Sequence, residues 1–501
     1  MSASPPQSAE GRGAVYKSAA LAVALQWSMR LIGLVSVFIL ARLLSPQDFG
    51  IAGLAMASVA LVEIFSVIGL RQALLRIPAP ERSHLDTAWT IQLLLFGILG
   101  LVLLALAPLA ARFYEEPALG PVIAILSSRF LFLGLVNIGI VDFDRNLEFG
   151  RDLRMRVGAR LISFAVTVTA AVLLRSYWAL VIGLVLQSAM FTAASYAAHP
   201  FRPRLSLARR SELLSVSGWM VLGFSGQVLH HQIERLVIGR FGGMHLVGLY
   251  SVSKDLSAIF TQEIATALNR VTFVTTARSG QKLSEAPERL VTMLGAYAMI
   301  AAPLGLGLAA SAEDGLAVLL GSQWLDAATL LQLIAPASAL YAVYKLIASS
   351  LQAAGYVRGV AAMTCGGAAA AAVAVGTVGF RSHDAVAMAL AALAVSGGVL
   401  LVGTIVLSRV ARSSLISLVI PIVRPFLAAV AMLVLVRVAD PSSGSAVLDL
   451  TVEVLTGAAA FSSMLFLLWL ASGRPAGAEA EAVDFLRRSR LARRLRSALA
   501  A

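Results

Sequence analysis

The sequence predicts an all-α, polytopic membrane protein of about fourteen transmembrane helices, and three observations carry that prediction. Hydrophobic residues fill 58% of the 501 positions, charged residues only 13%, and the mean hydropathy is +0.84. Apolar runs of spanning length recur from end to end, and roughly 20 apolar residues suffice to cross a hydrocarbon core of about 30 Å. The connections are short, none longer than roughly 20 residues, so no loop has room for a folded domain. A backbone in lipid must satisfy its polar groups internally, so repeated long runs imply a helical bundle rather than a barrel.

The expected spans run 18–40, 51–70, 87–109, 119–141, 157–174, 176–197 and 214–238 in the first half. The second half continues 246–268, 290–310, 327–353, 357–380, 385–407, 419–436 and 447–471. Charge placement orients them. With the N-terminus inside, the inner segments collect roughly 27 of the 40 Lys and Arg and the outer loops about six, as the positive-inside rule requires. The loop before Ala327 carries Glu313, Asp314 and Asp326 and no base. An even number of spans then places both termini in the cytoplasm. The net charge of +13 therefore reads as topology, with no nucleic-acid partner expected.

The segment 1–17 is a polar cytoplasmic tail without a cleavable signal pattern, and the first span is expected to be a retained anchor. Cys365 is the only cysteine, which excludes disulfides within the chain; it reads as a small hydrophobe. The end of the chain, 474–501, forms a basic cytoplasmic tail. Within it Leu491, Leu495 and Leu499 fall at helical spacing among Arg487, Arg488, Arg490, Arg493, Arg494 and Arg496. Such a helix either lies on an anionic leaflet or is simply a solvated basic tail.

An internal echo links the halves. The first span exits through 41–50 (ARLLSPQDFG) and the seventh through 239–248 (GRFGGMHLVG), so Arg42 and Gly50 recur as Arg240 and Gly248. Both copies follow odd-numbered spans, as expected of a parallel repeat. These four residues are expected to serve the turns between helices, where glycine permits close approach.

The stretch 40–50 followed by 63–70 (EIFSVIGL) resembles the opening of polysaccharide and O-antigen flippases of the multidrug/oligosaccharidyl-lipid/polysaccharide exporter superfamily. Further matches are 144–149 (DRNLEF), 248–253 (GLYSVS), 320–324 (LGSQW) and 351–355 (LQAAG). The likeness covers roughly residues 15–410, and its specificity lies in order and spacing. It implies two six-helix lobes around a central cavity, within 18–213 and 214–410, followed by two further helices in 411–473. It also implies alternating access, moving an undecaprenyl-diphosphate-linked oligosaccharide from the inner to the outer leaflet of a bacterial inner membrane. A polysaccharide polymerase and export machinery are the expected protein partners.

Charge within a span costs at least about 2.5–3.5 kcal/mol, so polar residues there are functional candidates by default. On the tenth span Ser338, Tyr341, Lys345, Ser349 and Gln352 share one helical face. The seventh carries Gln227, His231 and Glu234, flanked by His230 and Arg235; the eighth adds Ser251, Lys254, Asp255, Gln262 and Glu263. The first contributes Gln26 and Arg30, the fourth Arg129 and Asn137. Cations on facing helices offer charge-assisted bonds to a lipid diphosphate, and hydroxyls and amides suit sugars. The expected substrate contacts are Arg30, Arg129, Lys254, Lys345, Tyr341, Gln352, Gln227 and His231. Glu63, Glu234, Asp255 and Glu263 are the candidates for cation or proton coupling. The competing structural reading makes Lys254/Asp255 and Glu234/Arg235 ion pairs that hold helices together, and lets Arg129, Arg235 and Lys254 snorkel.

No catalytic, metal or cofactor site is expected. Asp142 and Asp144 match a D-x-D pattern of some glycosyltransferases, but on a short loop full of arginines. No Walker A sequence occurs, and no long outer loop of the kind a polymerase or ligase would carry. The closer rival is a drug/cation antiporter of the same superfamily, whose cavity would favour acids and aromatics.

Overall fold

The computed structural model describes residues 28–66, 70–146, 148–213, 218–279, 287–439 and 444–488, and every regular element among them is helical. The first half runs α1 (28–43), α2 (Pro46–Glu63), α3 (Leu70–Arg76), α4 (Arg82–Phe113), α5 (Leu119–Gly134), α6 (Val141–Arg145), α7 (Phe149–Leu174), α8 (Trp178–Ala198) and α9 (Arg210–Leu213). The second half runs α10 (Gly218–Phe241), α11 (Gly243–Ser279), α12 (Pro287–Ala310), α13 (Ala312–Leu319), α14 (Ala328–Ala353), α15 (Val357–Ser382), α16 (Ala385–Ala411), α17 (Leu415–Ala439), α18 (Ala446–Ala471) and α19 (Ala478–Arg488).

Among the described residues ten helical stretches are long and apolar enough to cross a membrane, eleven if the bent pair Leu119–Gly134 and Ile138–Arg145 is one span. The expected fourteen is not reached. Part of the first expected span, including Gln26, lies outside the described residues. Helices α10 and α11 are long enough but carry the polar side chains described below. The fourth span is not straight: its two pieces meet at 63°. Asn137 explains the break. Its Oδ1 accepts from Gly139 N (3.0 Å), its Nδ2 donates to the Phe201 and His199 carbonyls (2.9 and 3.3 Å), and its own N–H donates to Ser195 Oγ (3.0 Å). One of the polar candidates is thus spent on holding the bend and tying it to the end of α8.

The chain divides into two compact units, Met1–Val228 with Gly243–Gly248, and Leu229–Gly242 with Leu249–Ala501. In unit 1 the opening motif builds a helix start. Ser45 Oγ accepts from Asp48 N (3.2 Å) while Asp48 Oδ2 accepts from Ser45 N (3.0 Å), a reciprocal capping box with Pro46 at the first helical position. The other Asp48 oxygen accepts from Tyr177 N (2.8 Å), fastening this turn to the one between α7 and α8.

Five residues past the Ser45 cap lies Gly50. A Cβ placed there would stand 1.8 Å from the Met244 carbonyl oxygen, and one on Gly248 would stand 1.7 Å from the Pro46 carbonyl oxygen. Pro46 and Met244 each precede their own glycine by four residues. The repeated motif is therefore a reciprocal crossing in which each helix lays its glycine on the other's carbonyl, an approach only a missing side chain allows.

The segment 199–213 is laced onto the first turns of α4. Arg204 N donates to Asp86 (2.8 Å), Ser206 N to Thr90 Oγ1 (2.9 Å), and Arg209 N to Thr87 Oγ1 (3.3 Å). The His84 hydrogen bond, joined by the Arg209 guanidinium, holds the Glu212 carboxyl below the usual carboxylate range.

In unit 2 helix α14 is the spine. Tyr344, Leu346, Ile347 and Leu351 are buried against Leu294 and Tyr297 of α12 and Leu400 and Leu407 of α16. The expected amphipathic tail begins as α19, with a stronger tie than a leaflet alone provides. Glu479 accepts from Arg424 of α17 at 2.7 Å, side chains 7% and 10% exposed, and Ala478 abuts Gly295 of α12. Leu491, Leu495, Leu499 and their arginines lie outside the described residues.

Gly50→Val and Gly248→Val should each sharply lower membrane-inserted protein, because backbone rather than a flexible side chain occupies the space. Gly97→Ala, where a Cβ meets nothing within 4 Å, should not. Membrane abundance by immunoblot checks this; normal accumulation of Gly50→Val would show that the crossing is dispensable for the fold.

Candidate functional site

Polar residues of unit 2 converge on a partly open cavity of about 30 Å³, room for one or two waters. Helix α10 contributes His230, His231 and Glu234; α11 contributes Tyr250, Lys254 and Gln262; α14 contributes Ser338 and Tyr341; α16 contributes Ser396. Helical periodicity explains the convergence. Residues 230, 231 and 234 share one face of α10, and 250 and 254 are one turn apart on α11.

Two ion pairs join these helices, crossed relative to the pairs expected from chain neighbours. Lys254 Nζ donates to Glu234, which also accepts from the Tyr250 hydroxyl. Arg235 donates to Asp255, and through the same nitrogen to the Ser251 carbonyl (3.4 Å). The first pair is dry, with side chains 10% and 7% exposed; in the second, Arg235 is 8% exposed and Asp255 48%. A charge on α10 thus meets its opposite on α11, where desolvation is offset by direct contact and by a second hydrogen bond.

An aromatic wall flanks the dry pair. The His230 ring stacks on Tyr341 with centroids 4.5 Å apart and planes 19° apart, and Tyr341 leans on Tyr344 at 5.6 Å. Lys345 is half-buried one turn beyond Tyr341, and its charge acts on the His231 ring together with those of Lys254 and Arg235. Three cations therefore gather against two described acids. Gln352 does not join them: it is exposed at the end of α14, so the five-residue polar face is used only in part. The side chain of Glu263 lies outside the described residues.

Unit 1 holds a separate group. Arg129 of α5 donates through Nε to Ser188 Oγ of α8 (3.1 Å) and pairs through Nη1 with Glu63 at the end of α2 (3.6 Å). A substrate candidate and a coupling candidate thus become partners across helices, a relation that spacing along one helix does not reveal. Arg30 is half-buried on α1, and Gln227, which falls in unit 1, is exposed. Sequence reasoning missed Tyr250, Ser396 and the hydrogen bond from Arg160 to Gln187. Tyr250 was legible, one turn before Lys254; Ser396 was not, lying alone in an apolar span.

Removing one member of the dry pair should leave a buried charge unpaired. Lys254→Met and Glu234→Gln should each lose about 3–5 kcal/mol of stability, with Lys254→Met/Glu234→Gln recovering most of it. Thermal unfolding in detergent and membrane abundance read the effect; single variants as stable as the parent would contradict a structural ion pair.

The comparisons with known proteins fall on this architecture. A model of the family described as polysaccharide biosynthesis protein matches residues 39–329. The succinoglycan biosynthesis transport protein ExoT of Rhizobium meliloti (strain 1021) is 26% identical over 306 residues, 60% of this chain and 61% of that one. The lipopolysaccharide biosynthesis protein WzxC of Escherichia coli (strain K12) is 24% identical over 332 residues, 64% and 66% of the two chains. The chain thus aligns with about three fifths to two thirds of the length of these relatives. Among solved structures, the lipid II flippase MurJ superposes with a TM-score of 0.72 at 12% identity, covering 90% of this chain and 99% of its own. A multidrug resistance MATE family transporter gives 0.57 at 14% identity, covering 77% and 96%. These likenesses establish a shared fold. With more than half of its length matched by the family model, the chain belongs to the polysaccharide biosynthesis protein family.

Proposed function

We propose that the protein is a flippase of polysaccharide biosynthesis, carrying an undecaprenyl-diphosphate-linked oligosaccharide from the inner to the outer leaflet of the inner membrane by alternating access. Its family, the roles its relatives are named for and the fold it shares with a lipid II flippase support a transporter of lipid-linked sugars. The observation that carries the choice of an anionic substrate is the convergence of cationic side chains around the unit 2 cavity. Lys254 of α11, Arg235 of α10 and Lys345 of α14 all act on the His231 ring that lines it. A diphosphate suits such a site, and Tyr341, Ser338, His231 and Gln262 suit sugar hydroxyls.

In this reading Lys254 and Lys345 are the principal contacts on unit 2; Arg30 and Arg129 are the candidate contacts on unit 1, taken by itself. Coupling to a proton or cation falls to acids that solvent can reach: Asp255 at 48% exposure and Glu63 at 35%. Glu234 would exchange an ion only after Lys254 and Tyr250 let go. Both termini face the cytoplasm, and a polymerase and export machinery act on the product. A drug/cation antiporter shares the fold, and the gathering of cationic side chains from α10, α11 and α14 favours an anionic substrate over it.

If Lys345 meets a diphosphate, charge matters more than shape. Lys345→Arg should retain partial polymer export, whereas Lys345→Ala and Lys345→Glu should lose at least tenfold, with all three inserted normally. Polymer export measured alongside membrane abundance tests this. Normal export by Lys345→Ala would eliminate the role, and loss of protein in step with export would assign Lys345 to the fold.

A further inference from the structure

Helices α7 and α8 of unit 1 touch along one seam and leave a groove beside it. The seam is polar. A Cβ on Gly183 would stand 2.1 Å from Thr167 Oγ1, and Ser163 Oγ donates to the Gly183 carbonyl (3.2 Å). Farther along, Arg160 donates to Gln187, and the Arg156 guanidinium sits 5.1 Å over the Phe191 ring. The groove follows a different face of α7 and continues the seam face of α8 toward its C-terminal end. It measures about 630 Å³ and is lined by Met155, Gly158, Ala159 and Ile162 from α7 and by Met190, Ala193, Ala194, Ala197 and Ala198 from α8.

Nothing in those linings is polar except at one end, where Arg151 and Arg154 complete it. They stand three residues apart on α7, so both guanidinium groups serve the same mouth. Neither is used up. Arg151 pairs with Glu148 at 2.8 Å while 60% exposed, and Arg154 donates its Nε–H to the Gly150 carbonyl at 3.3 Å. A guanidinium has five N–H donors in a fork that matches a phosphate, so both retain capacity for one.

We propose that this groove binds an anionic phospholipid of the inner leaflet, its phosphate on Arg151 and Arg154 and an acyl chain along the alanine wall. The charge asymmetry that orients the chain puts this end of α7 and α8 on the cytoplasmic side, where anionic headgroups lie. The chemistry separates the two ends of one ligand: guanidinium groups where a headgroup would be, and small apolar side chains where a chain would run. A larger residue at Ala194 or Ala197 would fill the space, and the sequence supplies none. The proposal does not depend on the transport reading, since a resident lipid at this site would serve any membrane protein built this way.

The test is native mass spectrometry of the purified full chain in detergent, titrated with phosphatidylglycerol or with phosphatidylcholine. The parent should retain phosphatidylglycerol in preference to phosphatidylcholine. Arg151→Gln/Arg154→Gln should reduce that retention at least fivefold. Ala194→Leu, which fills the groove and keeps both charges, should reduce it similarly, and Arg381→Gln, an arginine of unit 2 that is not among the groove's lining residues, should leave it unchanged. Thermal unfolding checks that each variant is folded. Equal retention by all variants, or no preference for the anionic lipid, would overturn the proposal. So would finding that the lipid held through Arg151 and Arg154 is a polyprenyl phosphate instead of a phospholipid.

Discussion

The cost of placing charge in hydrocarbon is the constraint on which this structure turns. Every charged side chain within a span must be desolvated, and a partner on its own helix is rarely in the right place. Partners therefore come from other helices: Glu63 for Arg129, Glu234 for Lys254, Asp255 for Arg235 and Glu479 for Arg424. Each pair fixes which two helices lie side by side and at what height. In an apolar environment this is worth more as registration than as net stability, because isolated apolar helices have little to tell one neighbour from another.

The same constraint explains what was legible in the sequence. Hydropathy and loop charge are properties of single segments, and they located the helices well. The repeated glycine spacing was legible too, because a glycine at a helix start in two equivalent places implies two equivalent close approaches. Residues 50 and 248 turn out to approach each other. The bend at Asn137 was hidden, since a fourth span with one amide looks like any span with a polar contact. The number of spans is confirmed only to ten or eleven among the described residues, because part of the first span lies outside them and the polar side chains of α10 and α11 lower their hydropathy.

The candidate site was legible as a set of residues and illegible as a set of partnerships. Spacing placed His231 with Glu234 and Tyr341 with Lys345, and those groupings are the ones that line or flank the cavity. Pairing across helices has no one-dimensional signature. Chain neighbours Glu234/Arg235 and Lys254/Asp255 looked like partners, whereas side chains of consecutive residues on a helix diverge by about 100° and reach outward to another helix. Gln352 shared the stripe on α14, but it lies at the end of the helix, where the cavity has already closed. Fold alone does not choose among the chemistries this architecture supports, since a flippase and a drug transporter both share it. The choice rests on the cationic side chains that three helices bring to the cavity of unit 2.

The central claim, that the protein moves an anionic lipid-linked saccharide between leaflets, is open to a direct measurement. Purified protein would be reconstituted into vesicles containing a fluorescent polyprenyl-diphosphate saccharide, followed by addition of dithionite, which bleaches only what it reaches from outside. The account predicts bleaching of nearly all the label in vesicles holding the parent protein, and of the outer-leaflet fraction alone in empty vesicles or with Lys345→Glu. Bleaching no greater than in empty vesicles, from protein that extrudes a cationic dye down an imposed ion gradient, would contradict it.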